Sequence, residues 1–140
     1  MSCYWSEILA SGVQVIDDQH KQLFAAVDDF ERAYSSGQGA EHIRETLNFL
    51  VNYTAEHFRD EEELQVRYNF PGYLRHRQQH YEFTERVVAL MERFNKEGAD
   101  NALMREIYET VGNWLMHHIR SDDFVMAAFI RRATAGRRET

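Results

Sequence analysis

The sequence predicts an all-α protein: an up-down-up-down antiparallel four-helix bundle with an irregular N-terminal arm and a short C-terminal helix. Three observations carry this prediction. Apolar residues recur at alternating steps of four and three through four long segments, the period of helices that bury one face. The connections between those segments are short, which sets successive helices antiparallel. No period-two alternation runs long enough to make a sheet.

Residues 1–16 read as the irregular arm, with Trp5, Leu9, Val13 and Val15 packing it against the body. Asp17 and Asp18 are expected to cap the first helix, whose stripe is His20, Leu23, Phe24, Val27, Phe30 and Tyr34. Gly37 and Gly39 stop it. The second helix spans about 40–68, with the stripe Ile43, Leu47, Leu50, Thr54, His57, Glu61, Leu64 and Tyr68. It ends at the turn Asn69-Phe70-Pro71-Gly72, because proline disfavours helical geometry in the residue before it. A third helix, about 72–96, carries Tyr73, His76, His80, Phe83, Val87, Leu90 and Phe94. The fourth, about 100–120, carries Met104, Ile107, Val111, Trp114 and His118. A shorter apolar helix is expected over Phe124–Ile130, followed by a frayed, solvated basic tail from Arg131. With one proline and no low-complexity linker, residues 1–140 read as a single domain whose core spans about 16–131.

Charge and composition exclude several classes. A formal net charge of −7 argues against a nucleic-acid partner, which would call for a basic face. No stretch approaches the ~20 apolar residues of a membrane span, and the first residues lack a basic segment followed by an apolar run, so no signal peptide is expected. The one cysteine, Cys3, excludes an internal disulfide framework and fits a reducing cytoplasm as a spare terminal thiol.

The inward stripes also hold groups that do not belong in an apolar core: His20, His57, His76, His80 and His118, with Glu61. Burying such groups unpaired costs several kcal/mol apiece. One shared metal centre would compensate them together. His57/Glu61 and His76/His80 are spaced four apart, so each pair projects from one helix face toward a common point. Near the end of the fourth helix the carboxylate partner is open. Asp122 lies four residues past His118 and suits an ideal helix; Asp123 lies five past and needs a distorted one. Five terminal imidazoles and two bridging carboxylates fill about nine coordination positions, and an oxygen bridge raises this to about eleven of the roughly twelve that two octahedral ions offer. That leaves one place for a small ligand. His42, beside Ile43 at a helix start, is expected on the surface. His117 lies off the stripe, either beside the ligands or on the surface, and Gln65 reads as a partly exposed helix residue.

The sequence resembles the hemerythrin family in its bacterial single-domain form, over about residues 5–125. The matching blocks are GVQVIDDQHKQLF around His20, HFRDEE with His57 and Glu61, FPGYLRHRQQH with His76 and His80, and WLMHHIRSDD. Alignment of the last block on Trp114, Leu115 and Ile119 selects His118 with Asp123 over Asp122. The resemblance implies a cofactor of two iron ions in an oxygen-bridged, non-haem centre. One iron would take His76, His80 and His118, the other His20 and His57, with Glu61 and Asp123 bridging. Dioxygen would bind at the two-histidine iron, in a pocket whose apolar lining matches Leu23, Phe58, Trp114 and Ile119. Gln65 and Phe70 depart from the commoner methionine and tyrosine of relatives, and neither is a ligand position.

The function this implies is reversible dioxygen binding, as a carrier, store or delivery partner for an oxygen-consuming enzyme. The chain itself is expected to be a cytoplasmic monomer and not an enzyme. Two other readings compete: a sensor of oxygen, nitric oxide or redox state, and a di-iron enzyme scavenging peroxide or nitric oxide. Histidine-heavy ligation, without the carboxylate-rich pattern of ferritin-like oxidases, favours binding over oxidation.

Overall fold

Helical periodicity translates directly into architecture in a computed structural model that describes residues 5–138, with side chains described through residue 135. Helix α1 (Gln14–Ser35), α2 (Ala40–Arg67), α3 (Tyr73–Glu97) and α4 (Asn101–His118) form the bundle. A π-helical turn, Ile119–Asp123, continues α4 into α5 (Phe124–Arg138). Helix α1 packs on α2 and α4, and α3 packs on the same two, so the four close a square in chain order. No strand occurs among the described residues. Cys3 lies outside the described residues, as do Glu139 and Thr140 of the tail.

The predicted stripes are the buried ones. Leu23, Phe24, Val27 and Phe30 of α1, Leu47 and Leu50 of α2, Phe83 and Phe94 of α3, and Met104, Ile107 and Val111 of α4 are all at most 2% exposed and form one apolar cluster. A second, smaller cluster of Ile16, Met126, Ala127 and Ile130, with Leu64, Tyr68 and Phe70 against it, closes the other end of the bundle. The histidine-bearing level lies between the two. Along α1 the order is Ile16, His20, Leu23; from α4 into α5 it is Leu115, His118, Asp123, Met126. Polar side chains therefore occupy a layer with apolar material above and below.

Two boundaries differ from expectation, and the end of α2 falls where expected, each for a local reason. Helix α1 begins at Gln14, three residues before the expected Asp17 cap, and a single 3₁₀ turn, Glu7–Leu9, interrupts the arm. Asp17 reaches backward from the first turn instead: its carboxylate accepts from the Ser11 amide (2.8 Å), the Ser11 hydroxyl (2.8 Å) and the Gly12 amide (3.3 Å). Gly12 has φ +86°, and a side chain there would meet Arg131 of α5 at 2.8 Å, so the arm passes close over the last helix. Early helix entry also turns Val15 outward, 49% exposed, while Leu9 is buried and Trp5 and Val13 pack partly, as expected. Helix α2 ends as a Schellman turn. Asn69 takes a left-handed φ of 55°, the Phe70 amide bonds the Gln65 carbonyl (2.9 Å), and the Asn69 amide bonds that of Val66 (3.2 Å). Finally, α5 does not fray after Ile130 but runs to Arg138, since the arginine- and alanine-rich tail favours helix.

Asp17 therefore fixes the arm, and Asp18, exposed, does not. Asp17→Ala is expected to lower stability by about 1–2 kcal/mol, the range for losing a capping carboxylate, and Asp18→Ala by less than about 0.5 kcal/mol. Denaturant melts of the two variants read the difference.

Candidate metal centre

Seven side chains converge on the polar layer, and all are at most 3% exposed: His20, His57, Glu61, His76, His80, His118 and Asp123. They fall into two groups of potential metal-ligating atoms that share both carboxylates. One is His76, His80, His118, Glu61 and Asp123; the other is His20, His57, Glu61 and Asp123. All seven residues expected from the sequence are thus brought together, and each helix of the bundle contributes.

Spacing four does on α2 and α3 what periodicity requires. On α4 an ideal helix would have turned Asp123 away. The π turn prevents this, because its backbone closes between residues five apart, so side chains at i and i+5 share a face. Asp123 Oδ1 lies 3.2 Å from His118 Nε2. Asp122 also touches His118, but on the opposite ring nitrogen: His118 Nδ1 donates to its carboxylate at 3.1 Å. Both candidates bind the same histidine, one from the cluster side and one from behind.

The ring nitrogens on the cluster side are all Nε2. His118 Nε2 lies 3.0 Å from His76 Nε2 and 3.1 Å from His80 Nε2. Two ligands at right angles on one ion, each about 2.1 Å from it, sit about 3.0 Å apart, so each of these two pairs has the spacing of neighbouring ligands on a shared ion. The carboxylates divide their oxygens. Glu61 Oε1 faces His76 (2.7 Å) and His80 (3.1 Å), while Oε2 faces His57 (3.1 Å). Asp123 Oδ1 faces His76 (2.9 Å) and His118 (3.2 Å), while Oδ2 faces His20 (3.0 Å). Two of these inward oxygens, Glu61 Oε2 and Asp123 Oδ1, are buried without hydrogen-bond geometry to any partner. A donor set of imidazoles and carboxylates with orphaned inward oxygens fits divalent first-row metals.

Acceptors behind the rings hold this orientation. His57 Nδ1 donates to Gln19 Oε1 (2.6 Å), and Gln19 Nε2 donates to Asp60 (2.9 Å), which fixes the amide and hence the imidazole tautomer. His80 Nδ1 donates to Glu62 (2.8 Å). With Nδ1 protonated, each Nε2 lone pair is left for the cluster. The sequence reading missed Gln19, Asp60 and Glu62. Gln19 and Glu62, like Asp122, adjoin a cluster residue in sequence, and that adjacency was the available signal.

Aromatic rings wall the three-histidine side. Phe58 stacks on His80 at 3.8 Å between ring centres, and Trp114 stacks on His118 at 4.4 Å and on Phe83 at 4.1 Å. Leu23 and Ile119 are fully buried in the same apolar cluster. His42 and His117 are exposed, as expected for the first and as one of two alternatives for the second. Gln65 overturns its expectation: it is 0% exposed, and neither amide atom has a hydrogen-bond partner. One turn beyond Glu61 on the inward stripe, it is carried into the core by the helix.

Without metal, protons balance the cluster. Burial works against charge on His76 and His118, yet the close carboxylates of Asp123 and Glu61 raise them to about 9 and about 10. Burial likewise opposes charge on the carboxylates, but the surrounding histidines hold Glu61 well below the usual carboxylate range, and His118 and His20 lower Asp123.

Comparison with known proteins bears on the family and the fold. Residues 11–130 match the family profile described as Hemerythrin HHE cation binding domain. A bacteriohemerythrin of Pseudomonas aeruginosa is 35% identical over 121 residues, covering 85% of this chain and 75% of its own. A myohemerythrin of Sipunculus nudus is 31% identical over 120 residues, covering 86% and 87%. A solved crystal structure of a mutant protein superposes with a TM-score of 0.83 at 22% identity, covering 93% of this chain and 98% of that one, and shares its fold.

The histidine shifts set two pH dependences. A folded-state pKa above the unfolded value of about 6.5 stabilises the metal-free protein fully below that pH. The contribution is lost as pH rises through about 9 and about 10. The metal-free melting temperature is therefore expected to fall between pH 6.5 and 10. Metal loading at pH 7 should release on the order of two protons per chain, from His76 and His118. Calorimetry in buffers of different ionisation enthalpy measures that release, which should vanish toward pH 10.

Proposed function

This chain belongs to the hemerythrin family, and we propose that it holds two iron ions in the buried cluster and binds dioxygen reversibly there, as a carrier, store or delivery protein. Hemerythrins bind oxygen and are not enzymes, so the scavenging-enzyme reading is set aside. The observation that carries the proposal is the division of the Glu61 and Asp123 oxygens between two histidine groups. A single ion among His76, His80 and His118 would leave Glu61 Oε2 and Asp123 Oδ2 facing His57 and His20 with no ion between them. Two ions use both.

When bound, the iron pair supplies the reversible electron transfer that lets dioxygen be held and released. Everything else is the work of the chain. His76, His80 and His118 form the fuller group; with only His20 and His57, the other group would leave a coordination position for a diatomic ligand. Acceptors behind His57, His80 and His118 hold a proton on Nδ1, so Nε2 is the nitrogen turned toward the metal. Leu23, Phe58, Trp114 and Ile119 keep water from the layer, which hinders protonation and loss of reduced oxygen. No helix among the described residues is long and apolar enough to cross a membrane. In this reading the chain acts as a cytoplasmic monomer that supplies an oxygen-consuming enzyme.

Iron-loaded protein is expected to contain about two irons per chain, and its visible spectrum should cycle reversibly between air and deoxygenation. One iron per chain, or a single irreversible turnover, would sink the proposal. Trp114→Ala should speed decay of the oxygenated spectrum without changing the iron count, because it ligates nothing. Decay is compared below the melting temperature of both proteins, since truncating this side chain costs about 3 kcal/mol of stability.

A further inference from the structure

The hydrogen bonds behind the histidines are not equivalent on the two sides of the cluster. On the three-histidine side two rings are backed by carboxylates: His80 Nδ1 by Glu62 at 2.8 Å and His118 Nδ1 by Asp122 at 3.1 Å. On the two-histidine side His57 Nδ1 is backed by the neutral amide of Gln19 at 2.6 Å. His20 Nδ1, buried, has no hydrogen-bond partner at all. Glu62 and Asp122 are about a quarter exposed, 24% and 26%, so each reaches a buried ring from a solvated position.

A carboxylate accepting the Nδ1 proton polarises the imidazole and makes Nε2 the stronger donor; a neutral amide does so less, and an unpartnered nitrogen not at all. Two added negative charges within hydrogen-bond distance of the rings also favour a cation on that side. We propose that Glu62 and Asp122 are positioning residues that rank the two half-sites: the three-histidine half fills first and holds its metal, and the two-histidine half fills second and loses its metal first. The inference rests on the two-metal reading of the cluster. It assigns a role to Asp122, which does not face the cluster, and to two residues, Glu62 and Gln19, outside the ligand set. A functional consequence follows. The half-site with fewer histidines, where the proposed function puts the small ligand, is also the labile one, so loss of iron begins there and leaves a one-metal protein with the three-histidine half occupied.

Gln19 offers the reciprocal arrangement. Its amide donates to Asp60 (2.9 Å), so Gln19→Glu combined with Asp60→Asn exchanges amide and carboxylate at constant net charge. His57 would then be backed by a carboxylate held by an amide.

The test is an anaerobic titration of the metal-free full chain with cobalt(II), followed by its coordination-sensitive visible absorption, and a chelator-driven release experiment on the loaded protein. Wild-type protein is expected to take up two equivalents in two resolved steps. Glu62→Gln and Asp122→Asn keep a hydrogen-bond acceptor for Nδ1 and remove only charge. Each should weaken the first step by about 10–100-fold and leave the second within a few-fold. The paired exchange at Gln19 and Asp60 should tighten the second step by about tenfold and slow the first phase of release. Circular dichroism and melting of each metal-free variant confirm an intact bundle. Two equivalents taken up with Glu62→Gln and Asp122→Asn weakening both steps equally, or neither, would overturn the ranking while leaving the two-metal reading intact. A single equivalent in wild-type protein would instead overturn that reading.

Discussion

The rest of this structure depends on keeping two carboxylates and five imidazoles together in a layer with no access to water. Glu61 and Asp123 are 1% and 0% exposed. A carboxylate in that position is tolerated only when charge and hydrogen bonds meet it from several sides. Each helix of the bundle is recruited to that end: α1 brings His20, α2 His57 and Glu61, α3 His76 and His80, and α4 His118, with Asp123 following on the π turn. The two apolar clusters then act as lids on the layer. The larger fills the bundle on the side of Phe30 and Phe94, and the smaller, built on α5, closes the opposite end with Met126, Ala127 and Ile130. Helix α5 is for that reason part of the site's insulation and not an appendage.

The π turn is the local distortion that this constraint imposes. A regular α4 would aim Asp122 into the layer and turn Asp123 out of it. Widening one turn over Ile119–Asp123 reverses the pair. Asp123 then completes the carboxylate set from inside while Asp122 supports His118 from outside. The turn also lies at the seam where α4 passes into α5, with Ile119 in the larger cluster and Met126 in the smaller. A π insertion is unfavourable in isolation. Here the carboxylate placement and the change of packing partner both offset it.

Much of this was legible in the sequence, and the illegible parts share a physical cause. Periodicity identifies the four stripes because burial selects residues at helical spacing. It identifies the histidines because nothing else explains imidazoles on those stripes. Straight-helix geometry chose Asp122, and only the resemblance of the Trp114–Asp123 block pointed to Asp123, since a π turn has no propensity signal of its own. Gln65 was misread because an amide at a stripe position looks exposed on composition, whereas the helix carries it inward whatever its chemistry. The start of α1 was misplaced because Asp17 looks the same whether it caps its own helix or ties down the chain before it. Gln19 and Glu62 could not be found by periodicity, which registers facing toward the core and not the hydrogen bond made behind a ring.

Those outer acceptors show an economy in the chain. Gln19 adjoins His20 and supports His57 of the next helix; Glu62 adjoins Glu61 and supports His80 of the next; Asp122 adjoins Asp123 and supports His118. One residue faces the layer and its neighbour reaches around to the back of a ring from elsewhere. Neighbours on a helix point about 100° apart, so Gln19 and Glu62 emerge at the interhelical seam, where the adjoining helix presents the back of its ring, while Asp122 reaches back one turn to a ring of its own helical segment. Ligand position and ligand tautomer are thus coupled to the same helix–helix packing. In the metal-free state the same packing holds His76 and His118 protonated against Glu61 and Asp123 at neutral pH. Two cationic rings then balance two carboxylates. Protons on those rings oppose the carboxylate charge that a metal would otherwise meet. Metal binding then exchanges one compensating charge for another, which is why protons leave as the ion enters.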